Sequence, residues 1–246
     1  MRLFLQKMAL KPFQFKQFKI AHDRSTHKVG TDAVLLGSWV NILETDKLLL
    51  DIGTGSGVIA LMLAQRTKEQ VHIDALDILD ADVQQARYNV ANSPWPQKID
   101  VRCCRAQTYF PERQYDLIVS NPPYFEKSLL PPEQKRSAAR HGEELSFPEL
   151  LTCASRLMSP SGRFAVILPH AEGLRFIRLA AETTLFPSRQ TAFRSRRHKP
   201  IERLLLEFCR QQGEVETSEL TLYDHSNNWT DGYRLLTKDF YLKADN

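Results

Sequence analysis

The sequence predicts an α/β protein with a doubly wound, mostly parallel sheet. Short apolar runs that end in Asp, Gly or Asn alternate along the chain with longer segments rich in helix-forming residues. A strand buried inside a parallel sheet is apolar along its whole length, and two parallel strands need a helix-sized connection. The alternation therefore favours strands joined by helices that cover both faces of one sheet.

The predicted elements follow one another in a regular order. The apolar runs predict strands over residues 47–53, 71–77, 99–104, 115–120, 163–169 and 203–208, and the helical patterns cover residues 58–66, 80–92 and 173–184. Ser146 and Glu149 have the spacing of a capping box, which predicts a helix start. The polar residues 125–145 before it predict a mobile surface loop. Residues 1–44 lie outside the alternation and predict a basic, aromatic N-terminal extension, followed by the main domain over residues 45–246.

Composition limits the class of protein. The 246 residues are 42% hydrophobic and 25% charged, which is enough apolar sequence for a sizeable core. Neither a secretory signal peptide nor a transmembrane run is expected, and the four cysteines have no metal-ligand spacing. We therefore expect a cytoplasmic protein with reduced thiols, no metal ion and no membrane partner.

Basic residues are concentrated in two segments. Residues 1–30 contain seven Lys or Arg and one acid, and residues 189–203 contain six Lys or Arg and one acid, although the whole chain carries a formal charge of only +4. Two basic segments on an acidic body predict a polyanionic partner held at particular places. Within the second segment, we expect Arg194, Arg196, Arg197 and Lys199 to hold the phosphates of a nucleic acid.

A glycine-rich loop follows the first predicted strand. Gly53, Gly55 and Gly57 alternate with small residues, so the backbone can approach a ligand where a Cβ atom would clash. A dinucleotide fingerprint needs its third glycine three positions after the second, but Val58 occupies that position here. The loop therefore favours a nucleotide ligand other than a dinucleotide, and it disfavours an NAD-dependent oxidoreductase.

Two carboxylates end the first two predicted strands. Asp51 precedes the glycine loop, where it suits a cationic or zwitterionic group, and Asp77 stands where an acid binds ribose hydroxyls in nucleotide-binding α/β sheets. An adenosine that carries an amino acid satisfies both positions. The sequence therefore predicts S-adenosylmethionine as the cofactor.

These residues carry a family resemblance. The run LLLDIGTGSGVIALMLA, followed by Asp77 and then NPPY, resembles the class I S-adenosylmethionine-dependent methyltransferases that methylate amino groups. The resemblance extends to two further segments, FKQFKIAHDRSTHKVGTDAVLLGSWV and a late RLLLEF. With them, the chain from about Phe13 to Tyr241 is similar to the bacterial tRNA adenine-N6 methyltransferases that modify adenine-37 of valine tRNA. The resemblance implies a seven-stranded Rossmann-like sheet, tRNA as the partner and, we expect, a monomer.

The motif Asn121-Pro122-Pro123-Tyr124 follows a predicted buried strand. An exocyclic adenine amine is a poor nucleophile, because its lone pair is delocalised into the ring. The Asn121 side-chain oxygen and the Pro122 carbonyl can accept its two N–H groups, most strongly as charge builds on the nitrogen. The prolines stiffen the loop, and Tyr124 offers a ring on which a looped-out base can stack.

Further cofactor contacts are implied by the resemblance. Lys28, Thr31 and Asp32 match the family's segment that lies over the cofactor, although a polar helix N-terminus explains Thr31 and Asp32 almost equally well. Related enzymes often place an acid after the 99–104 strand to meet the cofactor's adenine amine. This chain has Arg105 there, and Gln107 is the candidate substitute.

Three other functions share some of these features. Enzymes that methylate a glutamine side chain in release factors also use NPPY, but they carry a helical N-terminal domain in place of a short basic one. DNA adenine methyltransferases usually add a target-recognition domain. A non-catalytic RNA-binding protein on the same scaffold predicts a broken glycine loop or a lost Asn, and both are intact here.

Overall fold

The computed structural model describes residues 11–23, 25, 28–123 and 145–242. Ten strands are found in this part of the chain: β1 (Phe13–Gln14), β2 (Lys19–Ile20), β3 (Leu48–Ile52), β4 (His72–Asp77), β5 (Ile99–Cys103), β6 (Tyr115–Ser120), β7 (Met158–Pro169), β8 (Phe186–Arg196), β9 (Arg203–Cys209) and β10 (Glu216–Tyr223). The helices are α1 (Thr31–Trp39), α2 (Val58–Arg66), α3 (Asp80–Ala91), α4 (Phe147–Leu157), α5 (His170–Ala180) and α6 (Asp231–Thr237), with 3-10 turns at Ala106–Thr108 and Ala181–Thr183.

The main sheet has the strand order β10-β8-β9-β7-β6-β3-β4-β5. Strand β9 runs antiparallel to β7 and β8, and every other neighbouring pair is parallel. The mostly parallel, doubly wound fold predicted from the sequence is confirmed. β1 and β2 form a separate antiparallel pair near the N-terminal end of the chain.

The sheet differs from the prediction in its strand count. Among the described residues it has eight strands where seven are expected, and two of them, β8 and β10, are not assigned from the sequence. Strand β8 contains Pro187 and several arginines, and β10 is an edge strand whose first residues are exposed. Neither shows the continuous apolar run by which the other strands were recognised.

Apolar side chains alternate between the two faces of the sheet. Leu49 and Val119 point to one face and pack with α1, α2 and α3, whereas Leu50 and Ile118 point to the other and pack with α4 and α5. The aromatic N-terminal segment joins the first of these clusters, where Phe15 is fully buried. The division between an extension and a main domain at residue 44 stays a prediction.

Helix α4 begins as the sequence predicts. The Ser146 hydroxyl accepts a hydrogen bond from the Glu149 N–H at 3.4 Å, and the Glu149 carboxylate accepts one from the Ser146 N–H at 2.9 Å. The capping box is therefore confirmed. Residues 125–144 of the predicted surface loop lie outside the described residues. No helix in the described part of the chain has the length and apolar character that crossing a membrane requires.

One edge of the sheet collects the ends of many strands. The parallel strands β3 to β7 all end there, and so do β8 and β10, at Arg196 and Tyr223. Because β9 is reversed, it begins at this edge, where Arg203 pairs with Pro169 at the end of β7. This carboxyl edge is the usual binding side of an open α/β sheet.

Candidate active site

The glycine loop at the end of β3 is held against the end of β4. The backbone N–H groups of Gly53 and Thr54 both donate to the Leu76 carbonyl at 2.9 Å, and the Gly57 N–H donates to the Thr54 carbonyl at 2.9 Å. The loop needs left-handed backbone, with φ of +76° at Gly53 and +82° at Gly57. Glycine adopts these angles without the strain that a side chain would add.

The glycines face two different environments. A Cβ atom added to Gly53 or Gly55 would have no described atom within 4 Å, whereas one added to Gly57 would lie 3.3 Å from the Cβ of Ala86 in α3. Gly57 therefore permits helix α3 to pack close to the loop. Gly53 and Gly55 leave an open cradle, which a ligand can enter.

Asp51, the second-to-last residue of β3, is fully buried beneath this loop. One carboxylate oxygen accepts a hydrogen bond from the Thr54 hydroxyl at 2.7 Å, and the other is buried without a hydrogen-bond partner among the described residues. Burial raises the pKa of Asp51 from 3.8 to about 7, and the Thr54 hydroxyl and the backbone N–H of Ala60 partly oppose the rise. A buried carboxylate oxygen that lacks a partner is suited to a cationic group of a ligand.

Asp77 closes the other side of the cradle at the end of β4. Its two carboxylate oxygens accept hydrogen bonds from the N–H groups of Gly55 at 2.9 Å and Leu79 at 3.0 Å. Burial raises its pKa, and these backbone hydrogen bonds oppose the rise. Each oxygen keeps a second lone pair for a ligand hydroxyl. The open glycines, the unpartnered oxygen of Asp51 and the position of Asp77 together fit the predicted cofactor.

Asn121 lies next to this cradle because β6 is the neighbour of β3. Ile52 and Ser120 are register partners, and the Ser120 hydroxyl donates to the Ile52 carbonyl at 2.8 Å. The next residues along the two strands are Gly53 and Asn121, so the glycine loop and the motif leave the sheet side by side. Asn121 is partly exposed, and Pro122 is buried.

The rest of the motif is less fully described. Pro123 is exposed, and Tyr124 lies outside the described residues. The catalytic roles of Asn121, Pro122, Pro123 and Tyr124 stay predictions.

Comparison with known proteins identifies the family. Residues 25–175 match the family described as "Methyltransferase small domain". The chain is 44% identical over 232 residues to the tRNA1(Val) (adenine(37)-N6)-methyltransferase of Yersinia pestis (strain Pestoides F), an alignment that covers 94% of this chain and 93% of the relative. The chain belongs to this methyltransferase family. The resemblance seen in the sequence is therefore confirmed.

Solved structures of other methyltransferases share the fold of this family member. A predicted O-methyltransferase from Agrobacterium tumefaciens superimposes with a TM-score of 0.67 at 18% identity, covering 85% of this chain and 96% of that one. The glycopeptide N-methyltransferase MtfA, solved with S-adenosyl-L-methionine, gives a TM-score of 0.52 at 10% identity, covering 69% and 89%. At these identities the likeness concerns the fold alone.

In this methyltransferase, the residues predicted to lie over the cofactor, Lys28, Thr31 and Asp32, are found at the start of α1 and just before it. Thr31 is the first residue of the helix and is exposed, as is Lys28 before it. The Asp32 carboxylate accepts a hydrogen bond from the Nε atom of Arg203 at 2.8 Å, which ties α1 to the start of β9 at the carboxyl edge. No local pattern in the sequence indicates this pair, because its members are 171 residues apart. The roles of these residues toward the cofactor stay predictions.

Gln107 lies in the 3-10 turn that follows β5, and helix α4 packs against that turn. Arg156 of α4 donates hydrogen bonds to the carbonyls of Ala106 at 2.9 Å and Tyr109 at 2.7 Å. Glu149, seven residues before Arg156 and on the same side of the helix, has its pKa lowered, chiefly by its hydrogen bonds to Ser146 and less by Gln107. The Glu149 carboxylate of α4 therefore lies near Gln107. A contact of Gln107 with the cofactor's adenine stays a prediction.

The predicted RNA-binding residues lie at the carboxyl edge, in β8 and in the turn that follows it. The Arg194 guanidinium pairs with the Glu219 carboxylate of β10, and the Arg196 guanidinium lies 5.3 Å from the centre of the Tyr223 ring. Arg197 and Lys199 in the turn are exposed. The structure therefore brings these four residues to the same edge as Asp51 and Asn121, although Arg194 and Arg196 also contact other parts of the protein.

A group of potential metal ligands lies elsewhere in the described part of the chain. His72, Asp74 and Asp100 bring ligand atoms within 4.8 Å of one another. Arg102 donates to both carboxylates, to Asp74 at 3.2 Å and to Asp100 at 2.5 Å, and the Tyr115 hydroxyl donates to Asp74 at 2.6 Å. A guanidinium that already neutralises two carboxylates explains this group without a metal ion.

Proposed function

We propose that this protein transfers a methyl group from S-adenosylmethionine to the exocyclic N6 of an adenine in tRNA, at adenine-37 of the valine tRNA anticodon loop. The observation that carries the proposal is the placement of Asn121 beside the glycine loop, through the Ser120–Ile52 hydrogen bond. The relative from Yersinia pestis, whose name specifies this reaction, supports the choice of substrate.

The cofactor site is assigned to the loop between β3 and α2 and to the end of β4. Asp51 would hold the cationic part of the cofactor's amino acid, and Asp77 would hold its ribose hydroxyls, with Gly53 and Gly55 leaving room for the ligand. Lys28, Thr31, Asp32 and Gln107 are assigned supporting contacts. Bound there, S-adenosylmethionine supplies a methyl group that its positive sulfonium makes electrophilic.

Asn121 and Pro122 would make the target amine a better nucleophile. Their side-chain and backbone oxygens accept the two N–H groups of the amine, which draws the nitrogen toward tetrahedral geometry and frees its lone pair. These hydrogen bonds strengthen as positive charge develops on the nitrogen, so they stabilise the transition state more than the bound substrate. The two prolines hold the acceptors in place before the substrate arrives.

Two further steps are the loss of a proton from the methylated amine and the stacking of the adenine ring. The methylated nitrogen is positively charged and strongly acidic, so it loses a proton to solvent without a dedicated strong base. Tyr124 is assigned the stacking of the looped-out adenine, a contact worth about 1–3 kcal/mol per base in single-strand binders.

The basic residues at the carboxyl edge would hold the tRNA backbone. Arg197 and Lys199 are exposed in the β8–β9 turn, and Arg194 and Arg196 flank them on β8. Phosphate contacts of this kind set affinity and salt dependence but do not select the base.

We propose that the protein acts on tRNA as a monomer in the cytoplasm.

The decisive experiment is methyl transfer from labelled S-adenosylmethionine to total tRNA that lacks this modification. Wild type should place label in N6-methyladenosine of valine tRNA, and Asn121→Ala should lower the rate about 100-fold or more, because a transition-state acceptor is lost. Asn92→Ala, which removes an exposed amide at the end of α3, is the matched control and should retain the wild-type rate.

Two other results would overturn the proposal. Label on a protein glutamine in place of RNA would move the protein to the release-factor class of NPPY enzymes. Absence of transfer to any RNA or protein, with the cofactor still bound, would make it a binding protein on a methyltransferase scaffold.

A further inference from the structure

Asn89 of helix α3 connects two distant segments through its side-chain amide. Its oxygen accepts a hydrogen bond from the Ala21 N–H at 2.9 Å, and its nitrogen donates to the Ala21 carbonyl at 2.9 Å and to the Ser56 carbonyl at 2.8 Å. The residue is only 2% exposed. A buried amide bonded on both of its groups has one favoured orientation, so it fixes the segment around Ala21 relative to the glycine loop.

Helix α3 itself is fixed against the loop one turn before Asn89. The closest approach is at Ala86, whose Cβ would lie 3.3 Å from a Cβ atom at Gly57. On the other side of the helix, the Arg87 guanidinium donates to the Val101 carbonyl of β5 at 2.9 Å and 3.1 Å. Helix α3 is therefore held between the glycine loop and β5, so the position of the Asn89 side chain is fixed by contacts on both sides of the helix.

The segment that Asn89 holds contains buried polar atoms without hydrogen-bond partners in the described part of the chain. Ile20 is fully buried before Ala21, and after it the Nδ1 atom of His22 and the hydroxyl of Ser25 are buried without a hydrogen-bond partner among the described residues. A buried polar group that lacks a partner is energetically unfavourable, because it has lost its hydrogen bonds to water. Like the second carboxylate oxygen of Asp51, these atoms are suited to a ligand that is polar on several sides.

We propose that Asn89 is a positioning residue of the cofactor site. By holding Ala21 to the Ser56 carbonyl, it makes the N-terminal segment and the glycine loop into one wall against which the cofactor binds. Asn89 touches neither cofactor nor substrate in this role, and acts through the two backbone segments that it joins. The inference rests on the proposed function, since it names a further determinant of the same cofactor site.

The test compares Asn89→Ala and Asn89→Asp with Val90→Ala, using S-adenosylhomocysteine as the probe. Val90 is a buried neighbour on the same helix, so its truncation lowers stability without removing a hydrogen bond to the loop. Asn89→Asp keeps the shape of the side chain but removes the donor to both carbonyls. Calorimetry should give at least tenfold weaker binding for both Asn89 variants, and binding within twofold of wild type for Val90→Ala.

Hydrogen exchange on the ligand-free proteins supplies a readout that does not depend on the cofactor. The amides of residues 19–23 and 53–57 should exchange faster in the Asn89 variants than in Val90→Ala at equal global stability. Equal binding losses in Asn89→Ala and Val90→Ala, or equal exchange in these two segments, would overturn the positioning role. Failure of wild type to bind S-adenosylhomocysteine would instead contradict the proposed function itself.

Discussion

The hydroxyl of Ser120 donates a 2.8 Å hydrogen bond to the carbonyl of Ile52, at the point where β6 and β3 end side by side. Both residues are almost completely buried. The bond fixes the relative position of the two segments that leave these strands, one of which is the glycine loop that begins at Gly53 and the other the motif that begins at Asn121. It therefore sets the distance between the proposed cofactor site and the proposed acceptors of the target amine.

We expect Ser120→Ala to lower both stability and turnover. The substitution leaves the buried carbonyl of Ile52 without this partner, which costs about 1–3 kcal/mol of unfolding free energy. Turnover should fall more than cofactor affinity, because Asn121 is displaced while the glycine loop keeps its bonds to Leu76. Urea unfolding, calorimetry with S-adenosylhomocysteine and single-turnover methylation measure the three effects.

Thr152→Ala is the control for this variant. The Thr152 hydroxyl also donates to a backbone carbonyl, that of Pro148, but on an exposed face of α4. Its loss should change stability by about 0.5 kcal/mol or less, since water replaces the bond. If Ser120→Ala behaved like Thr152→Ala, the Ser120 bond would have no special part in the site.

Stability should depend on the protonation of Asp51. Its pKa is about 7 in the folded protein and ordinarily 3.8, so the folded state keeps a proton that the unfolded state releases between these values. The contribution of this group to stability is full below about pH 4 and is lost as pH rises through 7. Asp51→Asn should remove this dependence and be more stable than wild type at pH 8, by about 1–4 kcal/mol.

Urea unfolding between pH 4 and pH 9 checks this sign. The Asp51→Asn variant should also bind S-adenosylmethionine at least tenfold more weakly at pH 8, because it cannot offer a charge to a cationic group. Thr54→Val, which removes the hydrogen bond to the carboxylate, should move the pH window upward. A stability difference between wild type and Asp51→Asn that did not vary with pH would exclude a raised pKa.

Gly55 and Gly57 should respond differently to alanine. Both have positive φ, so each substitution carries backbone strain of about 1–3 kcal/mol. In Gly57→Ala the new Cβ also presses on Ala86, so thermal stability should fall more than in Gly55→Ala. In Gly55→Ala the new Cβ enters the open cradle, so calorimetry should show the larger loss of cofactor binding there. The reverse order would place the ligand on the other side of the loop.

The exposed residues of the β8–β9 turn should determine the salt dependence of tRNA binding. Each phosphate contact contributes about 0.7–0.9 to the slope of log affinity against log salt, so Arg197→Ala with Lys199→Ala should lower the slope by about 1–2. Affinity should fall for all tRNA sequences alike. Filter binding at several salt concentrations measures both.

Glu219→Ala is informative beside this double variant. It frees the Arg194 guanidinium from its ion pair without removing any positive charge. Stability should change by about 1 kcal/mol or less, as for other pairs with an exposed partner, and tRNA affinity should stay equal or rise. A fall in affinity would mean that the ion pair holds Arg194 in its binding position.

The sequence predicts well the strands that surround the proposed cofactor site, for physical reasons. Strands β3, β4 and β6 are largely buried, so each appears as a mostly apolar run with a residue of the proposed site at or next to its end: Asp51, Asp77 and Asn121. The capping box of α4 was equally plain, because it involves residues only three positions apart. Features set by burial or by local spacing can be recognised in a single sequence.

Features that depend on long-range contacts were not predicted. Strands β8 and β10 do not show the apolar strand pattern, because β8 contains several partly buried arginines and the first residues of β10 are exposed and polar. The Asp32–Arg203 pair and the bonds of Asn89 to Ala21 join residues 171 and 68 positions apart, and no local pattern indicates such pairs. The hydrogen bond from Ser120 to the Ile52 carbonyl cannot be predicted for the same reason, although Ser120 directly precedes the NPPY motif.

The reversal of β9 has a consequence for how such an enzyme can diversify. Because β9 runs against its neighbours, the chain turns back between β8 and β9 at the carboxyl edge, at the opposite end of the strand order from β4 and β5. A surface hairpin turn tolerates insertions and substitutions that a buried strand does not. A change in the length or residues of this turn can therefore alter the proposed nucleic-acid contact without disturbing the strands that position the proposed cofactor site.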